Sequence, residues 1–312
     1  MLAVLAPGAP AWAGGVLDRV KAQGIVHCGA DERPGFAWAG ADGRIAGLAV
    51  DLCRAVAVAA LGPEGRVGFR LYRSSRDYDA VRGGSDDLFF LSGSEIADEK
   101  LAPSVLPGPT VFIEALSLMA PEASSARRLD DLAGASVCFM VGSAAQRALE
   151  TAAEHQHVSF ARLGFQESAE MLDAYNVQRC RAVAGEATQL ARMRLDPGVN
   201  HLASRILPQP LALYPVIAAT GTGDGRWSAL VAWVLDALIL ADQPQSAWHS
   251  DPLPLPAAAL GLREHLREEV IDTLGTYGTM LRRDLGEGSA LKLQPGPNAL
   301  WPAGLLLPPY AE

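Results

Sequence analysis

The turn Val141-Gly142-Ser143 has the residue types that can hold an anion. It follows an apolar strand predicted over 136–141 and precedes a helix predicted over 144–154. The free N–H groups and the dipole at a helix N-terminus favour negative charge, and the Ser143 hydroxyl could donate as well. Ser143 is also placed to cap that helix, so capping alone is the alternative interpretation.

The other motifs give no positive sign of catalysis. The run from Thr220 to Gly225 resembles a dinucleotide loop, but the third glycine of that fingerprint would fall on Arg226, so a turn is favoured. His155 and His157 could be metal ligands, but no third ligand lies near them in the sequence, and we expect a polar loop and no metal site. Gly-x-Ser-x-Gly, Walker and His-Glu-x-x-His motifs are absent, so we predict a protein that is not an enzyme and has no cofactor.

Strands and helices alternate along the chain. Apolar runs predict strands, and longer amphipathic runs predict helices between them. The predicted strands include 24–28, 67–71, 88–91, 136–141, 158–163 and 181–184, and the predicted helices include 48–57, 144–154 and 167–175. Such alternation requires crossover connections and a largely parallel sheet.

Two extended apolar segments, 111–119 and 211–218, bracket the middle block of the chain. A chain that leaves one lobe and returns to it through two such strands forms two lobes joined by a hinge. We therefore predict an α/β, two-lobed fold with two crossover strands. A cleft between two lobes is a common place for a small ligand.

Length and charge restrict the class of protein. The 312 residues suffice for two domains, each with a core of its own. The formal net charge of −9 argues against a nucleic-acid partner, because phosphate binding needs a basic face. A helix that spans a membrane needs about 20 consecutive apolar, uncharged residues, and the sequence contains no such stretch.

The N-terminus and the cysteines both favour export. Residues 2–13 are apolar and end in Ala11-Trp12-Ala13, a small-x-small triplet of the kind that signal peptidase cleaves, so we interpret 1–15 as a signal-peptide remnant. The alternative is an ordinary N-terminal segment. Four cysteines allow three pairings; the chain organisation favours Cys28–Cys53 and Cys138–Cys180, each within one lobe, and four buried thiols are the alternative.

Eight short segments, in order along the chain, resemble one protein family. They are Asp18-Arg19-Val20-Lys21, Pro34-Gly35-Phe36, Val50-Asp51-Leu52-Cys53-Arg54-Ala55, Gly134-Ala135-Ser136-Val137-Cys138, Arg179-Cys180, the helix containing Trp227 and Trp233, Tyr277-Gly278, and Asn298-Ala299-Leu300-Trp301. The chain resembles, over residues 16–310, the general (polar) L-amino-acid-binding periplasmic proteins of ABC transporters, within the type 3 solute-binding family.

The resemblance implies a monomeric, non-catalytic periplasmic receptor. It implies a type II periplasmic-binding-protein fold, with lobe one formed by 16–113 and 214–312 and lobe two by 114–213. Such a receptor closes on a free amino acid or a related amine and delivers it to a membrane permease.

The resemblance also assigns ligand-binding residues in lobe one. Asp31 and Glu32 fall where the family's first strand loop touches the ligand, and Phe36 or Trp38 would form an apolar wall. Ser92 and Ser94 fall in the family's hydroxyl-rich loop.

The family's carboxylate-binding Arg is replaced in this chain. Its position falls on Glu99, and a shift of one residue places Lys100 there instead. Lys can neutralise a carboxylate but lacks the planar fork of Arg. A solvated surface lysine is the alternative interpretation of Lys100.

In lobe two, the resemblance places Ser143 on the ligand's carboxylate and Glu186 on its ammonium group. An ordinary first-turn helix residue is the alternative for Glu186. Asp31, Glu32, Glu99 and Glu186 against Lys100 make the cleft acid-rich, which favours a ligand more positive than a neutral amino acid. A repurposed fold, either a periplasmic dehydratase-like enzyme or a docking protein, is the alternative function.

Overall fold

The computed structural model of the chain describes residues 15–72, 79–92, 104–196, 201–242, 262 and 266–307. The strands are β1 Ile25–Asp31, β2 Trp38–Ala39, β3 Ile45–Ala46, β4 Arg66–Tyr72, β5 Leu88–Ser92, β6 Val105–Pro121, β7 Ser136–Met140, β8 Ala161–Phe165, β9 Ala182–Glu186, β10 Ser204–Ile206 and β11 Ala212–Gly221. The α-helices are α1 Val16–Gln23, α2 Leu48–Leu61, α3 Asp79–Arg82, α4 Ala144–Gln156, α5 Ser168–Asn176, α6 Ala187–Leu195, α7 Gly225–Leu240, α8 Leu266–Leu274 and α9 Tyr277–Asp284.

One sheet of nine strands runs through the molecule in the order β4-β1-β5-β11-β6-β9-β7-β8, and β10 pairs with β6. Strand β1 is parallel to β4 and β5, and β7 is parallel to β8 and β9. We call the β4-β1-β5 end the Cys28 side and the β9-β7-β8 end the Cys138 side. The predicted parallel units therefore lie at the two ends of the sheet, but the sheet as a whole is mixed rather than largely parallel, because the strands between the two ends pair in antiparallel fashion.

Two long antiparallel strands join these sides. Strand β6 pairs with β11 from Val105 to Leu116, and its later residues, from Leu116 to Met119, pair with β9. Strand β11 also pairs with β5. The predicted α/β fold class with two crossover strands is therefore confirmed. The lobe boundaries at 113 and 214 stay a prediction.

The apolar core is divided in the same way. The largest cluster of buried side chains combines α1, α2, β1 and β5 with the helices after β11. Two further clusters combine the later part of β6 with β7, β9 and the helices between them. Helix α2 is apolar almost all round, and ten of its fourteen residues are buried, because it packs between the sheet and α8.

Both predicted disulfide pairings are confirmed. Cys28 of β1 is bonded to Cys53 of α2, with 6.3 Å between their Cα atoms. Cys138 of β7 is bonded to Cys180, just before β9, with 5.7 Å between their Cα atoms. Each bond fastens one side of the sheet to a neighbouring segment.

One predicted strand begins later than its sequence indicates. The apolar run from Val158 predicts a strand over 158–163, but β8 begins at Ala161. His157 takes a left-handed conformation, with φ 55°, and the Val158 N–H bonds back to the Ala153 carbonyl at 2.9 Å. The first residues of the run therefore still close helix α4.

Among the described residues, no helix has both the length and the apolar character needed to cross a bilayer.

Candidate functional site

Four of the predicted site residues in the described part of the chain lie at or just beyond strand ends. Asp31 ends β1, and the exposed Glu32 follows it. Ser92 ends β5, and the half-buried Glu186 ends β9. Ligands of α/β sheets bind outside the carboxyl ends of parallel strands, which is where all four lie. Ser94, Glu99 and Lys100 lie outside the described residues.

A buried carboxylate on the central strand β6 organises this region. Glu114 is 2% exposed. The Thr188 hydroxyl donates to Glu114 Oε2 at 2.8 Å, and the Thr188 backbone N–H donates to Glu114 Oε1 at 3.3 Å. Arg33 Nε lies 3.2 Å from Oε2, at ion-pair distance but outside hydrogen-bond geometry. Arg33 belongs to the Cys28 side and Thr188 to the Cys138 side, so this group of residues joins the two.

The electrostatics of Glu114 follow from its burial. Desolvation raises the pKa of the Glu114 carboxyl from 4.5 to about 7. The Arg33 charge and the two Thr188 bonds lower this pKa, whereas the Glu186 charge raises it. Glu186 and Glu114 are therefore close enough to repel each other.

A tight turn places Arg33 beside Glu114. The Arg33 N–H donates to the Ala37 carbonyl at 2.7 Å, and the Ala37 N–H donates back at 2.9 Å. Gly35 within this turn has φ 74°, and a Cβ atom there would lie 2.8 Å from the Asp284 carbonyl oxygen. A glycine is therefore needed both for the turn and for the close approach of the C-terminal segment.

Helix α6 makes two further contacts across the middle of the molecule. The Arg192 guanidinium carbon lies 4.8 Å from the ring centroid of the half-buried Trp38, which is cation–π distance. Arg194 donates from Nη2 to the Leu291 carbonyl at 2.5 Å. With the Thr188–Glu114 bonds, these contacts fix α6 against β6, the Cys28 side and the C-terminal segment.

A cavity of about 200 Å³ opens beside Glu114. Strand β6 and the first turn of α6 form one wall, and residues 281–298 form the other. Its polar lining residues are Glu114, Thr188, Arg282, Glu287, Gln294 and Asn298, and the rest of the lining is mostly apolar. An apolar pocket with a few convergent polar groups is typical of a small-molecule site.

No protein-family model matches the chain. Several named proteins are nevertheless similar to it over nearly its whole length. The chain is 28% identical over 324 residues to the general L-amino acid-binding periplasmic protein AapJ of Rhizobium johnstonii, covering 97% of this chain and 94% of AapJ. It is 25% identical over 338 residues to the glutamate/glutamine/aspartate/asparagine-binding protein BztA of Rhodobacter capsulatus, covering 99% of this chain and 96% of BztA. The chain is therefore similar, over nearly its whole length, to proteins named as amino-acid-binding proteins.

A solved structure shares the fold of this chain. A periplasmic binding protein of an ABC transporter from Brucella ovis, with glutathione bound, superimposes with a TM-score of 0.71 at 24% identity. The match covers 93% of this chain and 97% of the Brucella protein. The resemblance stated from the sequence is confirmed, and the relatives are named as binding proteins.

Phe36 lies in the core rather than on an open wall. It is 1% exposed, and its ring packs 5.9 Å from the Phe90 ring and 5.1 Å from the Phe112 ring, centroid to centroid. The reason is that the turn at Gly35 directs the chain inwards before α2. Trp38, the alternative wall residue, keeps part of its surface open.

Ser143 caps helix α4, as predicted. Its hydroxyl oxygen accepts from the Gln146 N–H at 3.1 Å, and Gln146 Oε1 accepts from the Gly142 N–H at 2.8 Å. One N–H group of the predicted anion turn, that of Gly142, and one in the first turn of the helix, that of Gln146, are therefore bonded within this segment. The role of Ser143 toward a ligand stays a prediction.

Sequence reasoning missed Arg33, Glu114 and Thr188. One signal was available for Glu114, which is the single charged residue within the apolar segment 111–119. Charged residues are seldom fully buried unless they are paired, so a Glu at this position predicts a partner of opposite charge or a hydrogen-bond donor. The described residues contain no cluster of three or more His, Cys, Asp or Glu that could hold a metal ion.

Proposed function

We propose that this chain is the periplasmic substrate-binding component of an ABC importer for an amino acid or a related amine. The main support is the homology with amino-acid-binding proteins over almost its entire length. The ligand would be released to a membrane permease, as in those transport systems.

Closure of the two lobes would enclose the ligand. Strands β6 and β11 are the covalent connections between the two sides of the sheet, so a change of angle between the sides must pass through them. A ligand that binds the closed arrangement better shifts the population toward it. The Arg33–Glu114 and Arg192–Trp38 contacts are of the kind that closure would form.

Glu186 is our candidate for the ammonium-binding residue. It ends β9 at the start of α6, half-buried and near Glu114. Asp31, Glu32, Ser92, Ser94, Lys100 and Ser143 remain proposed ligand contacts. Four carboxylates lie at these strand ends and on β6, against the guanidinium groups of Arg33 and Arg192, which supports a ligand that is more positive than a neutral amino acid; the carboxylates are those of Asp31, Glu32, Glu114 and Glu186.

A thermal-shift screen of the oxidised full chain tests the function. The panel consists of the twenty L-amino acids, putrescine, spermidine and choline. A ligand at 100 times its Kd adds about 2.7 kcal/mol to the free energy of unfolding, which raises Tm by several degrees. If no compound raises Tm, the proposal fails, and a repurposed cleft, enzymatic or docking, becomes the better explanation.

Glu186→Gln tests the assignment of the ammonium group. Loss of a charged partner for a buried ammonium should weaken the affinity for the panel's hit at least tenfold, corresponding to about 1.4 kcal/mol. Glu170→Gln, an exposed position on α5, is the matched control and should leave the affinity unchanged. An unchanged affinity in Glu186→Gln removes Glu186 from the site.

A further inference from the structure

Glu114 and Glu186 are diagonal neighbours on one face of the sheet. In the antiparallel pair β6–β9, Glu186 lies opposite Leu116, and Glu114 is two residues from Leu116 along β6. Residues two apart on a strand point to the same face, and diagonal cross-strand neighbours lie roughly 7–8 Å apart. An ammonium group that contacts two carboxylates needs about this spacing.

Glu114 and the two residues that follow Glu186 in the chain form part of the cavity wall. Glu114, Ala187 and Thr188 all line it, and Ala187 directly follows Glu186. The cavity therefore gives a small molecule access to Glu114 and to the first turn of α6, which begins directly after Glu186.

The described charged groups around Glu114 are unbalanced. Arg33 faces it from the turn after β1 and Glu186 from the start of α6, while Arg282 and Glu287 lie across the cavity in the C-terminal segment. When all of them are ionised, three carboxylates stand against two guanidinium groups. A zwitterionic amino acid adds no net charge, whereas a cationic one adds the missing positive charge.

We propose that Glu114 and Glu186 together bind the ammonium group of a cationic L-amino acid, so that Glu114 determines specificity and ligand binding is coupled to proton release. The inference rests on the proposed binding function and identifies its ligand class.

Proton release follows from the burial of Glu114. The pKa of its carboxyl is raised to about 7 by desolvation and by the Glu186 charge, so at pH 7 the ligand-free carboxyl is partly protonated. An arriving ammonium group favours the ionised form of both carboxylates. The proton leaves Glu114 for the buffer, and no other bond changes.

Isothermal titration calorimetry with L-arginine tests this coupling. Titrations at pH 7.0 in phosphate and in Tris, which differ in their heat of ionisation, give the number of protons released. The wild type should release about half a proton per L-arginine at pH 7.0 and almost none at pH 8.5. Glu114→Gln should bind L-arginine at least tenfold more weakly and release no proton.

Glu122→Gln is the matched control, because Glu122 is exposed just beyond the far end of β6. It should keep both the affinity and the proton release of the wild type. The comparison of the wild type at two pH values does not depend on any variant folding.

Each other outcome overturns the inference in a recognisable way. L-arginine binding without proton release, or with unchanged affinity in Glu114→Gln, rejects the role of Glu114 and leaves the proposed function standing. No binding of L-arginine or L-lysine, while a neutral or acidic amino acid of the panel binds, rejects the cationic class alone. No binding by any amino acid or amine rejects the proposed function and this inference with it.

Discussion

The Thr188 hydroxyl donates a 2.8 Å hydrogen bond to Glu114 Oε2, although the two residues are 74 positions apart in the chain. Thr188 lies in the first turn of α6, where the helix dipole favours a negative charge. Glu114 lies on the strand that joins the two sides of the sheet. The bond therefore links the start of a helix at the candidate site to the strand on which any hinge motion depends.

Arg33→Met tests how much the pairing with Glu114 stabilises the fold. Removing the guanidinium leaves a buried carboxylate without its cation, which costs about 3–5 kcal/mol when that carboxylate is ionised. The pKa of Glu114 in the folded protein is above its unfolded value of 4.5, and losing Arg33 raises it further. The destabilisation should therefore be larger at pH 8 than at pH 5, as measured by urea denaturation.

Two further variants complete this test. Arg54→Met, at an exposed position on α2, should change the free energy of unfolding little at either pH. The double variant Arg33→Met/Glu114→Gln should recover most of the loss at pH 8, because no buried charge remains. Equal destabilisation of Arg33→Met at both pH values would show that Arg33 acts through packing alone.

The fold could be predicted from the sequence, whereas the buried contacts of Glu114 with Arg33 and Thr188 could not, and the reason is physical. Strand–helix alternation and the apolar segments 111–119 and 211–218 are local patterns, and they were enough for the α/β fold and its crossover strands. The Arg33–Glu114 pair depends on how distant segments meet, which no local pattern contains. For Phe36 the resemblance gave the position in the chain, whereas the turn at Gly35 decided that its ring lies in the core.

Asp236→Asn should stabilise the protein above neutral pH. Asp236 on α7 is 7% exposed and lines a cavity beside the crossover strands; within the described part of the chain it has neither a hydrogen bond nor an ion pair. Burial raises the pKa of its carboxyl from 3.8 to about 7. The folded state thus binds more protons than the unfolded state between these values, and the free energy of unfolding falls as pH rises through that window.

Urea denaturation at pH 5 and pH 8 measures the effect of Asp236→Asn. The variant should exceed the wild type in free energy of unfolding at both pH values, and the gain should be larger at pH 8 than at pH 5 by on the order of 2 kcal/mol, because the wild-type carboxyl titrates across that window. Asp173→Asn, at an exposed position on α5, should change it little at both pH values. A gain of the same size at pH 5 would point to a cause other than the charge.

Ser143→Ala separates the two interpretations of the turn before α4. Because Ser143 accepts from the Gln146 N–H, its loss should cost about 1 kcal/mol of stability. If the hydroxyl also binds the ligand's carboxylate, the affinity for the panel's hit falls as well, as calorimetry would show. Ser143→Thr keeps both the cap and the hydroxyl and should restore both quantities; an unchanged affinity in Ser143→Ala leaves the residue with its capping role alone.

The two disulfides should differ little in how much they stabilise the fold. Cys28–Cys53 closes a separation of 25 residues and Cys138–Cys180 one of 42. In the chain-entropy model each lowers the entropy of the unfolded state enough to add about 3–4 kcal/mol. The double variants Cys28→Ser/Cys53→Ser and Cys138→Ser/Cys180→Ser, compared by urea denaturation with the oxidised wild type, measure the bond that each one removes. All four sulfur atoms are in buried residues, so replacement by Ser adds a polar cost that the reduced wild type does not carry. A reduced wild type as stable as the oxidised one would show that neither bond constrains the unfolded chain.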